Sequence, residues 1–274
     1  MMTGTEIINQ FERFCPPELA ESWDHVGLQI GDPDKPVQRI MTTLDVRPEV
    51  VDEAIERQAD FIFAHHPVMF HPAKDLDIRN PQNAMYAKIL NSGITVYAAH
   101  TNLDSVNGGM NDWLADQLQL QNAVPLVDKD IYPITGMPRG MGRIGELSTA
   151  MSVTQFAEYC LKVFSIPGLR LIAPADDPRK IKRVAVLGGA GSEFYHEAIA
   201  KGADAYVTGD VSYHVAHDMK AAGLVVVDPG HHIEAVAIKG LSDLLNQWKQ
   251  KKNWSVEVIQ SRINTEPFEF VTKK

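Results

Sequence analysis

Three short stretches concentrate side chains able to hold a metal ion: "FAHHP" (63–67), "HTNLD" (100–104) and "GHHIE" (230–234). Imidazole nitrogen and carboxylate oxygen are the mixed donors that bind Zn, Mn, Fe and related divalent ions. His65 and His66 are adjacent where the apolar run "FIFA" gives out and Pro67 breaks the strand. If His65 is the last extended residue, the two rings diverge and can reach two ions. A pair of ions ~3.5 to 4 Å apart is a common hydrolytic arrangement. The alternative is that the two histidines cap the strand and bond to backbone. Asp104 offers a terminal ligand, or else an N-cap or Asx-turn for a helix opening near Gly108 to Met110. His231 and Glu234 stand three apart at a helix start, on one face of its first turn, so the acid can bridge two ions; the competing reading is a dipole-favoured helix cap. Read together, the spacings select His65, His66, Asp104, His231 and Glu234 as metal ligands. His100 is the candidate general base that a hydrolytic site needs. His71, His196, His214 and His217 read as surface or supporting residues, and His232 as close enough to assist.

These residues must be brought to one edge, and the rest of the chain supplies a means. Short β-rich runs alternate with helical ones: "RIMTTLD", "PEVVDEAIERQ", "DFIFAH", "PQNAMYAKILN" and "ITVYAAH", then later "RVAVLGG", "SEFYHEAIAKG", "DAYVTGD" and "LVVVDPG". Such alternation predicts βα units and a largely parallel sheet, whose ligands bind beyond the carboxyl ends of the strands. Asp45, His65, His66, His100, Asp104, Asp210 and "DPGHHIE" all lie at such ends. Residues 53–60, "EAIERQAD", match residues 197–204, "EAIAKGAD", at five of eight positions with an offset of 144, and Arg39 and Arg183 open the preceding strands at that offset. The pattern predicts a duplicated βαβαβ half: a first α/β half over residues 1–125, a less regular connector over 126–180 in which "GMPRGMGRIGEL" is turn-rich and "TQFAEYCLKVF" is a helix, and a second α/β half over 181–274. Thr3 and Glu6 predict a capping box opening a helix with Ile7, Ile8, Phe11 and Phe14 on one face, stopped by Pro16 and Pro17.

Composition narrows the partners. The 274 residues are 45% hydrophobic, enough for a large core, and carry a net charge of -9 with no basic run, which makes nucleic acid an unsuitable partner. No stretch reaches the ~18 apolar residues of a membrane span, which points to a cytoplasmic protein without membrane contact. Cys15 and Cys160 sit in amphipathic helical patterns and read as core residues. "GGAGS" (188–192) lacks the Lys-Ser/Thr ending of a P-loop; it is a tight strand-to-helix turn, or a loop offering backbone N–H groups to a phosphate.

The ordered motifs "SWDHVGLQIGD" (22–32), "FAHHPVMF" (63–70), "AAHTNLDSVNGGMND" (98–112), "GRIGEL" (142–147), "ADAYVTGD" (203–210) and "DPGHHIEAV" (228–236) resemble those of the Nif3-like family, the GTP cyclohydrolase 1 type 2 homologs. The resemblance covers nearly the whole chain. It implies an α/β fold of two similar α/β halves with a dimetal site between them, two divalent metal ions per subunit (Zn, Fe or Mn) and a toroidal homohexamer. Carried over by motif, the ligands are again His65, His66, Asp104, His231 and Glu234. The implied function is a dinuclear-metal-dependent hydrolase acting on a small-molecule substrate such as a nucleotide, or on a phosphoester. The alternative is a non-enzymatic metal-binding regulator, chaperone or interaction protein. Two departures stand out: the connector is too short for the domain that some bacterial members insert, and "HHIE" spaces His231 and Glu234 by three where many members use four, which keeps His232 as a minor alternative ligand.

Overall fold

The computed structural model describes residues 2–131, 136, 138–174 and 176–271. In chain order the elements are α1 (Gly4–Phe14), β1 (Gly27–Ile30), β2 (Arg39–Thr43), α2 (Pro48–Glu56), β3 (Phe61–Ala64), α3 (Pro81–Ser92), β4 (Thr95–Ala98), α4 (Thr101–Ser105), α5 (Met110–Gln117), β5 (Gln121–Ile131) and β6 (Pro138–Ser152). There follow α6 (Val153–Phe164), β7 (Arg170–Ile172), β8 (Lys180–Val186), α7 (Tyr195–Ala200), β9 (Ala205–Val207), α8 (Tyr213–Ala221), β10 (Val225–Asp228), α9 (Val236–Lys252) and β11 (Glu257–Gln260). The chain divides into two compact units, Met1–Leu103 with Ala235–Thr265 and Asp104–Glu234 with Glu266–Lys274. Each contains one sheet, so the expected α/β class with two similar halves holds.

The first unit is built on a five-stranded sheet of order β1-β4-β3-β2-β11. Strands β2, β3, β4 and β11 run parallel and β1 is antiparallel at the edge. Every residue of β3 and β4 is buried, as expected of parallel strands covered on both faces. Helix α1 opens on the predicted capping box, with Thr3 Oγ1 accepting from Glu6 N and Glu6 Oε2 accepting from Thr3 N. It buries Ile7 and Phe11, and the Phe11 ring meets Phe63 at 4.7 Å and Tyr97 at 5.8 Å between centroids. Such aromatic pairs add about 0.5–1.5 kcal/mol each beyond their area.

The second unit holds a six-stranded sheet of order β5-β6-β8-β9-β10-β7, of which β8, β9 and β10 are parallel. The helix expected at "TQFAEYCLKVF" is α6, whereas residues 138–147 of the stretch expected to be turn-rich are strand: β5 pairs with β6 from Gln121↔Glu146 to Ile131↔Pro138, and β6 pairs with β8. The glycines of "RGMGRIG" are contact points instead of turns. A Cβ on Gly140 would lie 1.8 Å from the Val127 carbonyl oxygen, so only glycine admits β5 at that distance. Between them, Arg143 is 1% exposed and satisfies its guanidinium on Asp112, the carbonyls of Val106, Gly140 and Gly142, and Asn107. "VNGGMND" and "GRIGEL" are thus two sides of one buried polar network.

The repeat suggested by the 144-residue offset can be followed bond by bond. Ile40 pairs with Phe61 across β2 and β3, and Val184 pairs with Ala205 across β8 and β9; both partners differ by 144. Asp60 Oδ2 accepts from the N–H groups of Gln38 and Arg39, and Asp204 Oδ2 accepts from those of Lys182 and Arg183. Arg39 donates to the carbonyl of Arg57 as Arg183 donates to that of Lys201.

Candidate metal centre

In the first unit, β3 and β4 are adjacent and parallel, so their carboxyl ends deliver His65, His66 and His100 to one place. The ring centroids lie 5.0 Å apart for His65 and His66, 5.3 Å for His65 and His100, and 5.5 Å for His66 and His100. One ring nitrogen from each falls within 4.8 Å of the other two, close enough for a shared ion. The planes of His65 and His66 are 37° apart. Strand β3 ends at Ala64, so neither histidine has to obey the alternation of an extended chain.

The His65 and His66 rings are held through Nδ1. His65 Nδ1 bonds the Ala99 carbonyl at 2.7 Å, and His66 Nδ1 bonds Asp45 Oδ1 at 2.7 Å. His100 Nδ1 stands 3.0 Å from Asp24 Oδ2. For His65 and His66, carbonyl and carboxylate partners require a proton on Nδ1, which leaves Nε2 as the atom that can bind a metal. The backbone-bonding alternative for His65 is therefore realised together with a metal-competent tautomer. Burial alone would push the Asp24 carboxyl up, but the His100 ring and the N–H and hydroxyl of Thr101 outweigh it and hold that carboxyl at about 2. Asp24 is an anion across the ordinary pH range, fixed behind His100.

In the second unit, the 3-10 turn His231–Ala235 follows β10. His231 Nδ1 bonds Asp210 Oδ2 at 2.7 Å, and His231 Nε2 lies 3.0 Å from Glu234 Oε2. With its Nδ1 proton directed at Asp210, a neutral His231 points a lone pair at a carboxylate. That contact is favourable when a cation, either a proton or a metal ion, lies between the two. Glu234 is 2% exposed and is seated on "GGAGS": a Cβ at Gly188 or Gly189 would come 2.9 or 2.8 Å from Glu234 Oε1. The Gly188 amide donates to Asn111 Oδ1 and the Gly191 amide to Thr208 Oγ1, so the loop is a tight turn cradling the acid, with those two N–H groups already engaged.

Asp104 lies in α4 and is buried; Asn111 Nδ2 donates to its carbonyl at 3.0 Å. Asp104 is not the N-cap of α5, which is Gly109 without a side-chain cap, whereas Glu234 does lie in the first turn of its 3-10 helix, as the dipole-favoured reading expects. His232 belongs to no cluster of three donors among the described residues. Sequence reading missed Asp24 and Asn111 and gave Asp45 and Asp210 no role. A search for a carboxylate behind every candidate imidazole would have found the acids. The residue types fit a divalent metal: imidazole and carboxylate donors suit Zn, Fe and Mn alike.

A family model, Duf34/NIF3 (NGG1p interacting factor 3), matches residues 2–267. A Streptococcus pneumoniae "GTP cyclohydrolase 1 type 2 homolog" is 41% identical over 272 residues, covering 98% of this chain and all of that one. A Bacillus subtilis protein of the same description is 32% identical, covering 98% of this chain and 99% of its own. That alignment runs over 371 positions, so the relative carries additional residues absent from this chain. The crystal structure of a Bacillus cereus protein related to NIF3 superposes with a TM-score of 0.93 at 32% identity, covering 98% of this chain and 99% of the other. The chain belongs to the Duf34/NIF3 family.

Proposed function

We propose that His65, His66, Asp104, His231 and Glu234 hold two divalent ions and that the protein is a hydrolase acting on a nucleotide or a related phosphoester. The observation that carries this reading is the fixing of the imidazoles: in each unit a histidine beyond a strand end bonds a carboxylate through Nδ1, which leaves Nε2 as the donor atom of the neutral ring. Fixed donors of this kind are what a catalytic metal requires and what a histidine serving only to cap a strand does not. The ions, when bound, would activate water and polarise the attacked centre.

The chain's own residues supply the rest. Glu234, buried on its glycine seat, would bridge the two ions. His100, with the ionised Asp24 3.0 Å from its Nδ1, would accept a proton at Nε2 and hand it on, and the first unit's cluster equally allows it to serve as a ligand. The names of the relatives favour a nucleotide as substrate. We further propose a homohexameric assembly in the cytoplasm, on the family resemblance.

The test is incubation of purified protein, supplied in turn with Zn²⁺, Mn²⁺ and Fe²⁺, with a nucleotide and phosphoester panel, followed by mass-resolved product detection. Metal-dependent products that together gain the mass of water, abolished in His66→Ala and Glu234→Ala, are expected. Absence of turnover on every compound with the ions bound would remove the hydrolase reading and leave a metal-binding protein.

A further inference from the structure

Beside the imidazole cluster of the first unit stand two large aromatic side chains that are left in solvent. Trp23 is 62% exposed and Phe70 57% exposed, their centroids 6.0 Å apart with planes tilted by 56°. Trp23 also meets His100 edge-on at 6.0 Å. Open aromatic faces are ordinary on a mobile loop, but the turn carrying Trp23 is fastened on both sides to one residue. Thr101 Oγ1 accepts from the Glu21 amide at 2.9 Å and donates to Asp24 Oδ2 at 2.6 Å, and the Asp24 amide closes the turn on the Glu21 carbonyl. Asp24 is the same carboxylate that orients His100. An indole is thus held in water by a fixed turn whose anchor is shared with the candidate metal centre.

We propose that Trp23 and Phe70 form a platform that takes the flat heterocycle of the substrate, a nucleobase, on their exposed faces beside His100. Two rings tilted by 56° at a centroid distance of 6.0 Å do not stack on each other, and, with His100 edge-on to Trp23 and His71 edge-on to Phe70, a planar guest that stacks on the exposed part of one ring meets the other at an angle. Stacking is tolerant of base identity because every base has a π-face, so the platform sets the class of substrate, and discrimination among bases would come from polar contacts elsewhere. The inference deepens the nucleotide reading above and rests on it for the choice of ligand.

Guanosine 5′-monophosphate and ribose 5-phosphate are the probes, titrated into metal-loaded wild type, Trp23→Ala, Trp23→Phe and Phe70→Ala by equilibrium dialysis, with ion content and oligomeric mass measured on the same samples. The expected result is that the nucleotide binds at least about tenfold more tightly than the base-free sugar phosphate, that both alanine variants lose about tenfold or more, and that Trp23→Phe restores most of it. Ion content stays unchanged in all four proteins. Equal binding of the two probes, alanine variants that bind the nucleotide as wild type does, or a Trp23→Ala change in oligomeric mass with no change in nucleotide binding would each overturn the platform. Base-dependent binding without bound ions would instead remove the dimetal hydrolase reading and leave the platform standing.

Discussion

The two units carry the same three-strand parallel core and end its strands in different chemistry. Strands β2, β3 and β4 correspond to β8, β9 and β10, and at the offset of 144 the positions of His65 and His66 are taken by Gly209 and Asp210. One unit thus presents imidazoles where the other presents a small residue and an acid. The acid orients a histidine instead of acting beside one: Asp210 holds His231 in the second unit as Asp45 holds His66 in the first. A duplicated scaffold has kept its backbone rules, down to the aspartates that cap β2 and β8, while its strand ends took complementary roles. The parallel core is what both halves need to stand; the loop residues are what each can change.

The largest expected effect tests whether the units are organised separately. Replacing Arg143 by alanine removes a buried guanidinium from Asp112 and three carbonyls, and breaking such a buried network costs about 3–5 kcal/mol. Hydrogen exchange should lose protection in α5, β5 and β6 and keep it in β2, β3 and β4. Equal loss in both sheets would break the comparison.

Next comes the glycine seat under Glu234 in the second unit. Gly188→Ala places a methyl group 2.9 Å from Glu234 Oε1, and affinity for Zn²⁺ or Mn²⁺, read by competition with a chelating dye, should fall about 10- to 100-fold. Affinity equal to wild type would mean that the position of Glu234 is immaterial.

Sharper still is the pair Asp45→Asn and Asp210→Asn. If the two acids are equivalent orienters, each should weaken ion binding by about tenfold while the far-ultraviolet circular dichroism stays as in wild type. A loss in only one would show that only one unit's histidine is a ligand.

The smallest effect is acid sensitivity. Burial acts to raise the Glu53 carboxyl, but bonds from Ser261 Oγ, the Arg262 amide and Arg57 hold it below its ordinary value of 4.5. A carboxyl depressed in the folded state contributes stability above 4.5 and loses it as pH falls through the folded value. Its counterpart in the repeat, Glu197, has Oε2 without a hydrogen-bond partner among the described residues. Acidification below 4.5 should therefore loosen β11 and α2, and Glu53→Gln should remove that pH dependence at a cost on the order of 1 kcal/mol at neutral pH. The measurement is exchange protection as a function of pH, with Glu197→Gln as the variant expected to leave it unaltered.

Much of this was legible in the sequence because parallel strands end where function collects. The runs before Asp45, His65 and Asp210, the Thr3–Glu6 capping box and the 144-residue offset are all local patterns. What stayed hidden depends on pairing over distance. Asp24 reaches His100 and Asn111 reaches Gly188 only once the chain has folded, and no spacing announces either contact. The misread of residues 138–147 has a different cause: glycine signals a turn in sequence, whereas Gly140 is required by the backbone of β5.

The most direct test of the central claim is the metal content of gently purified protein, by elemental analysis of the wild type, His66→Ala and Glu234→Ala. The account predicts about two ions per chain in the wild type and a loss in each variant, with circular dichroism unchanged. Less than about one ion per chain in the wild type, after incubation with Zn²⁺, Mn²⁺ and Fe²⁺ in turn, would contradict it.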